Sequence, residues 1–306
     1  DSTMGYDIIG DIHGHAHELE QLLKSLGYAP HGKGYRHASR QAVFVGDFVD
    51  RGPAIARVIE IVRAIVSDGN GHAAMGNHEY NAIAFHTPKP VGTGGYFREH
   101  SAKNLTQHDA TLKQLTTSQL SDALSWFKQL PVSLELDGIR VAHAAWQGKD
   151  IQCIDDSLQR IGLFNEDFFI EAENKQSSLY RAIENVLKGP ELKLPQSETI
   201  IDKGGHTRRA VRIKWYESGA GRTYREHHLG SDSVPDVKID PQHLVGLETY
   251  PADAAPLFIG HYWMSGTPAP LAPNVACTDY SVAKDGKLVA YRWDGERTLS
   301  ADKYHW

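Results

Sequence analysis

Near its start the chain repeats one pattern three times: a short apolar run, a glycine, a few polar residues, then helical periodicity. The first run is Tyr6 to Gly10, followed by Leu19, Leu22, Leu23 and Leu26 at i, i+3, i+4 and i+7, which is one helical face. Gly27 is placed to close that helix. The second run, Ala42 to Gly46, reads as a fully buried strand. A helix follows with Pro53 near its first turn and Ile55, Val58, Ile59, Val62, Ile65 and Val66 on its inner face. The third is His72 to Gly76, with a short helix expected after it. Parallel strands joined through helices take right-handed crossovers, which commits the chain to an α/β fold with a largely parallel sheet.

Downstream, Thr87 to Gly95 is rich in Pro and Gly and reads as a mobile loop. Thr116 and Gln119 have the spacing of a capping box, ahead of a helix with Leu120, Ala123, Leu124 and Phe127 on one face. Val132 to Leu136, Asp137-Gly138 and Ile139 to Ala142 form a β-hairpin pattern. Residues 147–197 contain helical stretches such as Leu179 to Leu187 and are expected to be a cap or insertion within a single domain spanning 1–306. Ile213 to Tyr216, Leu257 to Ile259 and Lys287 to Trp293 read as further strands, with turns at Asp285-Gly286 and Asp294-Gly295.

Composition removes several classes. The formal charge of −6 argues against a general nucleic-acid or membrane-surface binder. Hydrophobic residues at 41% supply a large core, and no apolar run approaches the ~20 residues of a membrane span. Asp1 to Tyr6 is too short and polar for a signal peptide. Met4 is the expected natural start, with Asp1 to Thr3 an added remnant. Cys153 and Cys277 are the only cysteines, so no disulfide framework is expected and the cytoplasm is the default location. Histidine, at 17 dispersed residues, points towards metal or acid–base chemistry.

The polar residues after the runs are of metal-ligand type: Gly10-Asp11-Ile12-His13-Gly14, Gly46-Asp47-Phe48-Val49-Asp50-Arg51-Gly52 and Gly76-Asn77-His78-Glu79. Open α/β sheets bind ligands beyond the carboxyl ends of their strands, so these clusters are expected to converge. Asp11 and His13, two apart in extended chain, can point to the same side. Carboxylate, imidazole and amide oxygen together suit Mn, Fe, Zn or Co. His143 follows the hairpin, and Gly260-His261 follows an apolar run. Blander readings stand beside these. An isolated Asp-x-His is commonly a surface turn, Asn77 can cap a helix, and His143 can be a satisfied core histidine. His261 competes with His206, His227, His228 and His243, and its place after an apolar strand favours it. His15, His17, His31, His37, His72, His86, His100 and His108 read as ordinary surface or loop residues. Glu79 reads as a helix-start charge or a partner of a ligand. Arg208, Arg209, Arg212 and Lys214 are a solvated strand face or a dock for a polyanion. Tyr262, Trp263 and Trp146 either stack on a nucleobase or pack in the core.

The ordered series D-x-H, G-D-x-x-D-R-G, G-N-H-E, a lone His and G-H over residues 10 to 261 resembles the calcineurin-like metallophosphoesterase superfamily. Arg51 resembles the branch of phosphoprotein phosphatases and symmetrical bis(5'-nucleosyl)-tetraphosphatases. The tail from Gly260-His261-Tyr262-Trp263 through Cys277-Thr278-Asp279 to Gly286-Lys287-Leu288 is similar to the tetraphosphatase ending. The resemblance implies a four-layer α/β/β/α sandwich with two divalent ions, Mn first and Fe, Zn, Co or Ni as alternatives. It implies that Asp11 and His13 hold one ion, that Asp47 bridges, and that Asn77, His143 and His261 hold the other. A hydroxide shared by the ions would attack phosphorus, His78 would protonate the leaving oxygen, Asp50 would orient His78, and Arg51 would grip phosphate. The chain departs from the pattern in three places. Trp263 stands where many phosphodiesterases have a second His, and His143-Ala144-Ala145 stands where protein phosphatases show His-Gly-Gly. The second phosphate-binding arginine has no clear equivalent, with Arg208 and Arg209 as candidates. The implied activity is hydrolysis of a dinucleoside polyphosphate. The alternatives are a Ser/Thr-type phosphoprotein phosphatase and a non-enzymatic phosphate-binding scaffold. The implied partner is a phosphorylated small molecule or nucleotide, or else a phosphoprotein.

Overall fold

A computed structural model describes residues 4–195, 198–202, 204–230 and 233–306. The expected remnant Asp1 to Thr3 lies outside the described residues. The opening pattern folds as its periodicity requires. β1 (Gly5–Ile9) leads to α1 (Ala16–Ser25), which buries Leu19, Leu22 and Leu23. A small hairpin follows, β2 (Ala29–His31) with β3 (Gly34–Arg36). β4 (Arg40–Phe44) leads to α2 (Ile55–Ser67), whose inner face also takes in Ile61. Pro53 precedes the cap residue Ala54 rather than lying in the first helical turn. β5 (Gly71–Ala73) leads to α3 (Asn77–Phe85), every residue of which is buried.

Next comes α4 (Ala102–Gln114), a helix that its mostly polar sequence had not signalled; only His108 and Thr111 in it are buried. The Ser101 hydroxyl caps it by accepting from Asn104 N. α5 (Thr117–Phe127) begins with the expected Thr116–Gln119 capping box. β6 (Ser133–Glu135) and β7 (Arg140–Ala142) make the expected hairpin, with Gly138 at φ +88° in the turn. α6 (Gly148–Ile161), α7 (Glu166–Ala172) and α8 (Ser178–Ile183) occupy the segment read as a cap or insertion. Ile154, Phe168, Phe169 and Ile183 join the same core as α1, α2 and α3.

The stretch that follows is built of short pieces: β8 (Glu191–Lys193), β9 (Ile200–Ile201), β10 (Thr207–Arg208), β11 (Ala210–Arg212) and α9 (Tyr224–His227). The strand expected at Ile213 to Tyr216 is not formed. β11 ends at Arg212, and turns then close from Trp215 N to Ile213 O and from Glu217 N to Lys214 O. Trp215 and Tyr216 are adjacent yet both buried, which an alternating strand does not permit at a single packed face. The chain closes with β12 (Leu257–Ile259), β13 (Val275–Cys277), β14 (Asp279–Tyr280), β15 (Lys287–Leu288), β16 (Ala290–Trp293) and β17 (Tyr304–His305).

Two sheets result. The first has the order β17-β16-β1-β4-β5, and the second β13-β12-β7-β6. β1, β4 and β5 are parallel, as are β13, β12 and β7. The sheets face each other: Ile8, Val43 and Val45 of one share a core with Val141, Phe258 and Ala276 of the other. Alternation sends Ile9 and Phe44 to the opposite side, under the helices, while Leu257 and Ile259 turn to an outer layer around Trp215, Tyr216 and Tyr224. Among the described residues α9 and a short 3-10 helix at Pro241–Leu244 pack in that outer layer. The loops after β1, β4, β5, β7 and β12 carry the polar clusters, and the parallel pairing brings these carboxyl ends together.

Candidate metal centre

The loops that end the strands are tightly bent. His13, Asp47, Asp50, Arg51, His261 and Trp263 all have positive φ, between 44° and 74°. Such conformations cost about 1–3 kcal/mol each unless the surroundings hold them. One holder is Glu79, whose buried carboxylate accepts from the backbone N–H of Asp47 (2.7 Å), Phe48 (2.9 Å) and Gly76 (3.0 Å). Burial, and then the charge of Asp47, push the Glu79 carboxyl up to about 7. The expected supporting role for Glu79 is thereby given a definite form. Glycine is required beside it: a Cβ on Gly76 would collide with Asp47, and one on Gly260 with the Asp11 carboxylate.

Asp47 sits at the centre. Its Oδ2 lies 3.2 Å from His143 Nε2, 3.6 Å from His13 Nε2 and 4.0 Å from His78 Nε2, and its Oδ1 accepts from His78 N at 3.0 Å. Asn77 Oδ1 is 3.1 Å from His143 Nε2 and 3.2 Å from His261 Nδ1. Asp11 accepts from His261 N and lies 3.9 Å from His143 Nε2. All six expected ligands are buried; His13, Asp47 and His78 form one close group and Asp47, His143 and His261 another, with Asn77 and Asp11 against His143 and His261.

The residues fit divalent cations on a structural test. His13 Nδ1 donates to Val49 O (2.8 Å) and His143 Nδ1 to Val45 O (2.7 Å), so in the neutral rings the inward Nε2 atoms are lone pairs. The Nε2 atoms of His13 and His261 are buried with no hydrogen-bond partner, a cost native interiors rarely bear. His143 Nε2 faces Asn77 Oδ1 and Asp47 Oδ2, three acceptors that need a proton or a cation between them; burial works against a proton on His143, but Asp47 prevails and raises it above its ordinary value. Burial, and then His78, hold His13 down to about 3; burial, and then Arg212, hold His261 well below its ordinary value. These rings stay neutral and competent as ligands. Burial, then Asp279 and Asp47, push Asp11 up. Burial also opposes ionisation of Asp47, but His143 and His78 outweigh it and keep its carboxyl well below the usual range.

His78 stands beside the cluster with Nδ1 2.6 Å from Asp50 Oδ2. Burial works against its proton, but Asp47 and Asp50 prevail and raise it above its ordinary value. Asp50 is itself held. His108 Nδ1 and Thr111 Oγ1 each donate to its Oδ1 at 2.7 Å, and its own N–H donates to Thr111 Oγ1 at 3.0 Å. His108 was expected among the ordinary surface histidines. It is instead buried against Asp50, because α4 lies across this loop. A run of polar residues at i, i+3 and i+6 (His108, Thr111 and Gln114) was the available signal. Asp279 is likewise buried; it accepts from Trp263 N (2.9 Å) and Ser281 N (3.1 Å) beside Asp11.

At the rim, the Trp263 ring is nearly parallel to His13, with centroids 5.7 Å apart, and Arg51 and Lys284 lie 4.8 and 4.6 Å from its centroid. Tyr262 is buried with its hydroxyl donating to Ala144 O, which fits the packing reading. Trp146 has Arg140 over its ring. Arg208 and Arg209 are exposed, with Arg208 paired to Asp202 at 2.8 Å. The arginine of that stretch that faces the cluster is Arg212, which lies over the Tyr262 ring at 5.8 Å and depresses His261. His206 pairs with Asp202, and His227 lies against Arg222.

The family profile described as calcineurin-like phosphoesterase matches residues 4–243. The chain is similar to a protein of Oceanobacillus iheyensis named bis(5'-nucleosyl)-tetraphosphatase PrpE [asymmetrical], at 34% identity over 145 residues, covering 46% of this chain and 56% of that protein. It is similar to a protein of the same name from Bacillus mycoides at 46% identity over 77 residues, covering 24% and 31%. The chain thus spans about half the length of these relatives or less. The solved structure of a cold-active protein-tyrosine phosphatase from a psychrophilic Shewanella is 16% identical, with TM-score 0.47, covering 97% of this chain and 80% of that one.

Proposed function

The chain belongs to the calcineurin-like phosphoesterase family, and on that premise we propose that it is a metal-dependent hydrolase that cuts a phosphoanhydride in a dinucleoside polyphosphate. The observation that carries this reading is the ring of donors around Asp47, with two buried imidazole nitrogens that have no partner. Asp11 and His13 would hold one divalent cation, Asn77, His143 and His261 a second, and Asp47 would serve both. Manganese is our first choice among ions that such donors suit. Bound, the pair would neutralise phosphate charge and bring the ionisation of water near neutrality.

The chain's own groups divide the remaining work. His78 gives its Nδ1 proton to the Asp50 hydrogen bond, so its Nε2 faces the cluster and holds a proton for the leaving oxygen. Asp50 stays anionic and stabilises the charged ring. Arg51 and Arg212 bring planar guanidinium groups to nonbridging oxygens. Trp263, with Arg51 and Lys284 against its ring, offers a stacking surface for a base beside cations for a polyphosphate. The names of the relatives support this substrate class. Both cysteines are free thiols, which supports a reducing cytoplasm.

The test is turnover by the manganese-loaded protein on diadenosine tetraphosphate and on a serine phosphopeptide. Cleavage of the tetraphosphate is expected. The asymmetrical name of the relatives favours ATP plus AMP as products; two ADP would favour the symmetrical enzymes of the sequence resemblance. Phosphate release from the peptide alone would overturn the reading.

A further inference from the structure

We propose that α4 is a positioning element for the His78–Asp50 pair, with His108 and Thr111 as positioning residues that fix the Asp50 carboxylate. This inference rests on the hydrolase reading above for its kinetic consequence, but the geometry is independent of it.

The argument begins with the loop. Asp50 and Arg51 are both left-handed, at φ +68° and +73°; Asp tolerates that region better than most residues, Arg does not, and two in succession need support from outside the dipeptide. The loop is held from outside by one face of α4. His108, Thr111 and Gln114 are spaced i, i+3 and i+6 and point the same way. Thr111 makes a closed pair with Asp50, donating to Oδ1 and accepting from the backbone N–H. Gln114 donates to Gly52 O at 2.7 Å and accepts from Ile55 N at 2.9 Å. His108 donates to the same Oδ1. Asp50 therefore has one oxygen engaged by α4 and the other by His78, and the carboxylate cannot rotate without breaking buried bonds.

His108 is held in turn. Its Nε2 lies 3.0 Å from Nε2 of His86, the cap residue just after α3. The helix that starts with Asn77 and His78 is thus tied at both ends to one network. A carboxylate only accepts hydrogen bonds, so His108 must carry its proton on Nδ1. The consequence is specific. Loosening Asp50 misplaces the proton donor, which matters when the leaving oxygen is a poor one and little when it is a good one.

The experiment compares kcat and KM of His108→Ala, His108→Asn and Thr111→Val with the parent, on an alkyl phosphate and on p-nitrophenyl phosphate. Metal content and thermal unfolding are followed in parallel. For His108→Ala, kcat on the alkyl ester is expected to fall about 10–100-fold, a part of what general acid catalysis supplies. The expected fall on the nitrophenyl ester is under about threefold, with KM and metal content retained. His108→Asn, whose amide N–H can take the place of Nδ1–H, is expected to recover most of the loss. Thr111→Val is expected to show the same split more weakly. Nitrogen-15 spectra of the zinc-loaded parent are expected to show His108 protonated at Nδ1. Equal losses on both esters, no loss, failure of His108→Asn to recover, or a bare Nδ1 would each overturn the proposal. A parent inert towards both esters and towards diadenosine tetraphosphate would sink the hydrolase reading instead, and the ring-nitrogen spectra would then decide the positioning alone.

Discussion

Two neighbouring helices, α3 and α4, divide the labour of the site in opposite ways. α3 is buried along its whole length and its first turn brings Asn77 and His78 into the donor cluster. α4 lies on the surface with two buried residues, and both touch Asp50. A site built at the end of a strand needs small glycine-flanked turns, and these leave a mark in the sequence. Its support needs only a few polar side chains at helical spacing, and such spacing is common on any exposed helix.

The contrast can be broken or sharpened by substitution. Asp47→Asn removes the central charge against which the first turn of α3 packs. It is expected to lower turnover by about a thousandfold or more, because on the proposed reading Asp47 serves two cation positions at once; steady-state kinetics with added manganese measures this. His78→Asn comes next. A loss of about 10²–10⁴-fold is expected on an alkyl phosphate, with a much smaller loss on p-nitrophenyl phosphate and metal content unchanged. An equal rate on the alkyl ester would show that His78 is not the proton donor. Glu79→Gln tests whether α3 also holds the backbone. Its amide would face N–H donors where a carboxylate oxygen now accepts, and unfolding in urea is expected to show a loss of about 1–3 kcal/mol.

The smallest effect lies outside both helices. His227 is buried, with its Nδ1 accepting from Arg222 at 3.1 Å, and burial, followed by Arg222, holds its ring down to about 4. Its folded value is below its unfolded value of about 6.5. Its contribution is therefore complete above that unfolded value and is lost as pH falls from there through about 4. His227→Gln is expected to flatten the stability profile over that window by about 1–2 kcal/mol, measured by thermal unfolding. It should leave kinetics near neutral pH unchanged.

Much of this was legible in the sequence, for a physical reason. The apolar runs ending at Gly10, Gly46 and Gly76 specify strands and tight turns together, so the positions of Asp11, Asp47 and Asn77 followed from pattern alone. The hairpin at Asp137-Gly138 and the capping box at Thr116 are local and appeared as read. α4 was not read because its mean character is polar and its two buried residues contact a loop some 60 positions earlier. Ile213 to Tyr216 reads as a strand by composition, yet Trp215 and Tyr216 are both drawn into the outer core, and tertiary packing overrides the propensity. Arg208 and Arg209 attracted attention by charge; the direction of Arg212 depends on β11, which no local signal fixed.

The central claim is that Asp47 joins two cation positions. Titration of manganese into the metal-free protein, followed by calorimetry and elemental analysis, tests it directly. The account predicts two ions per chain, one remaining in His13→Ala, one in His143→Ala, and both weakened in Asp47→Asn. Manganese uptake that is absent, or that is indifferent to Asp47, would contradict it.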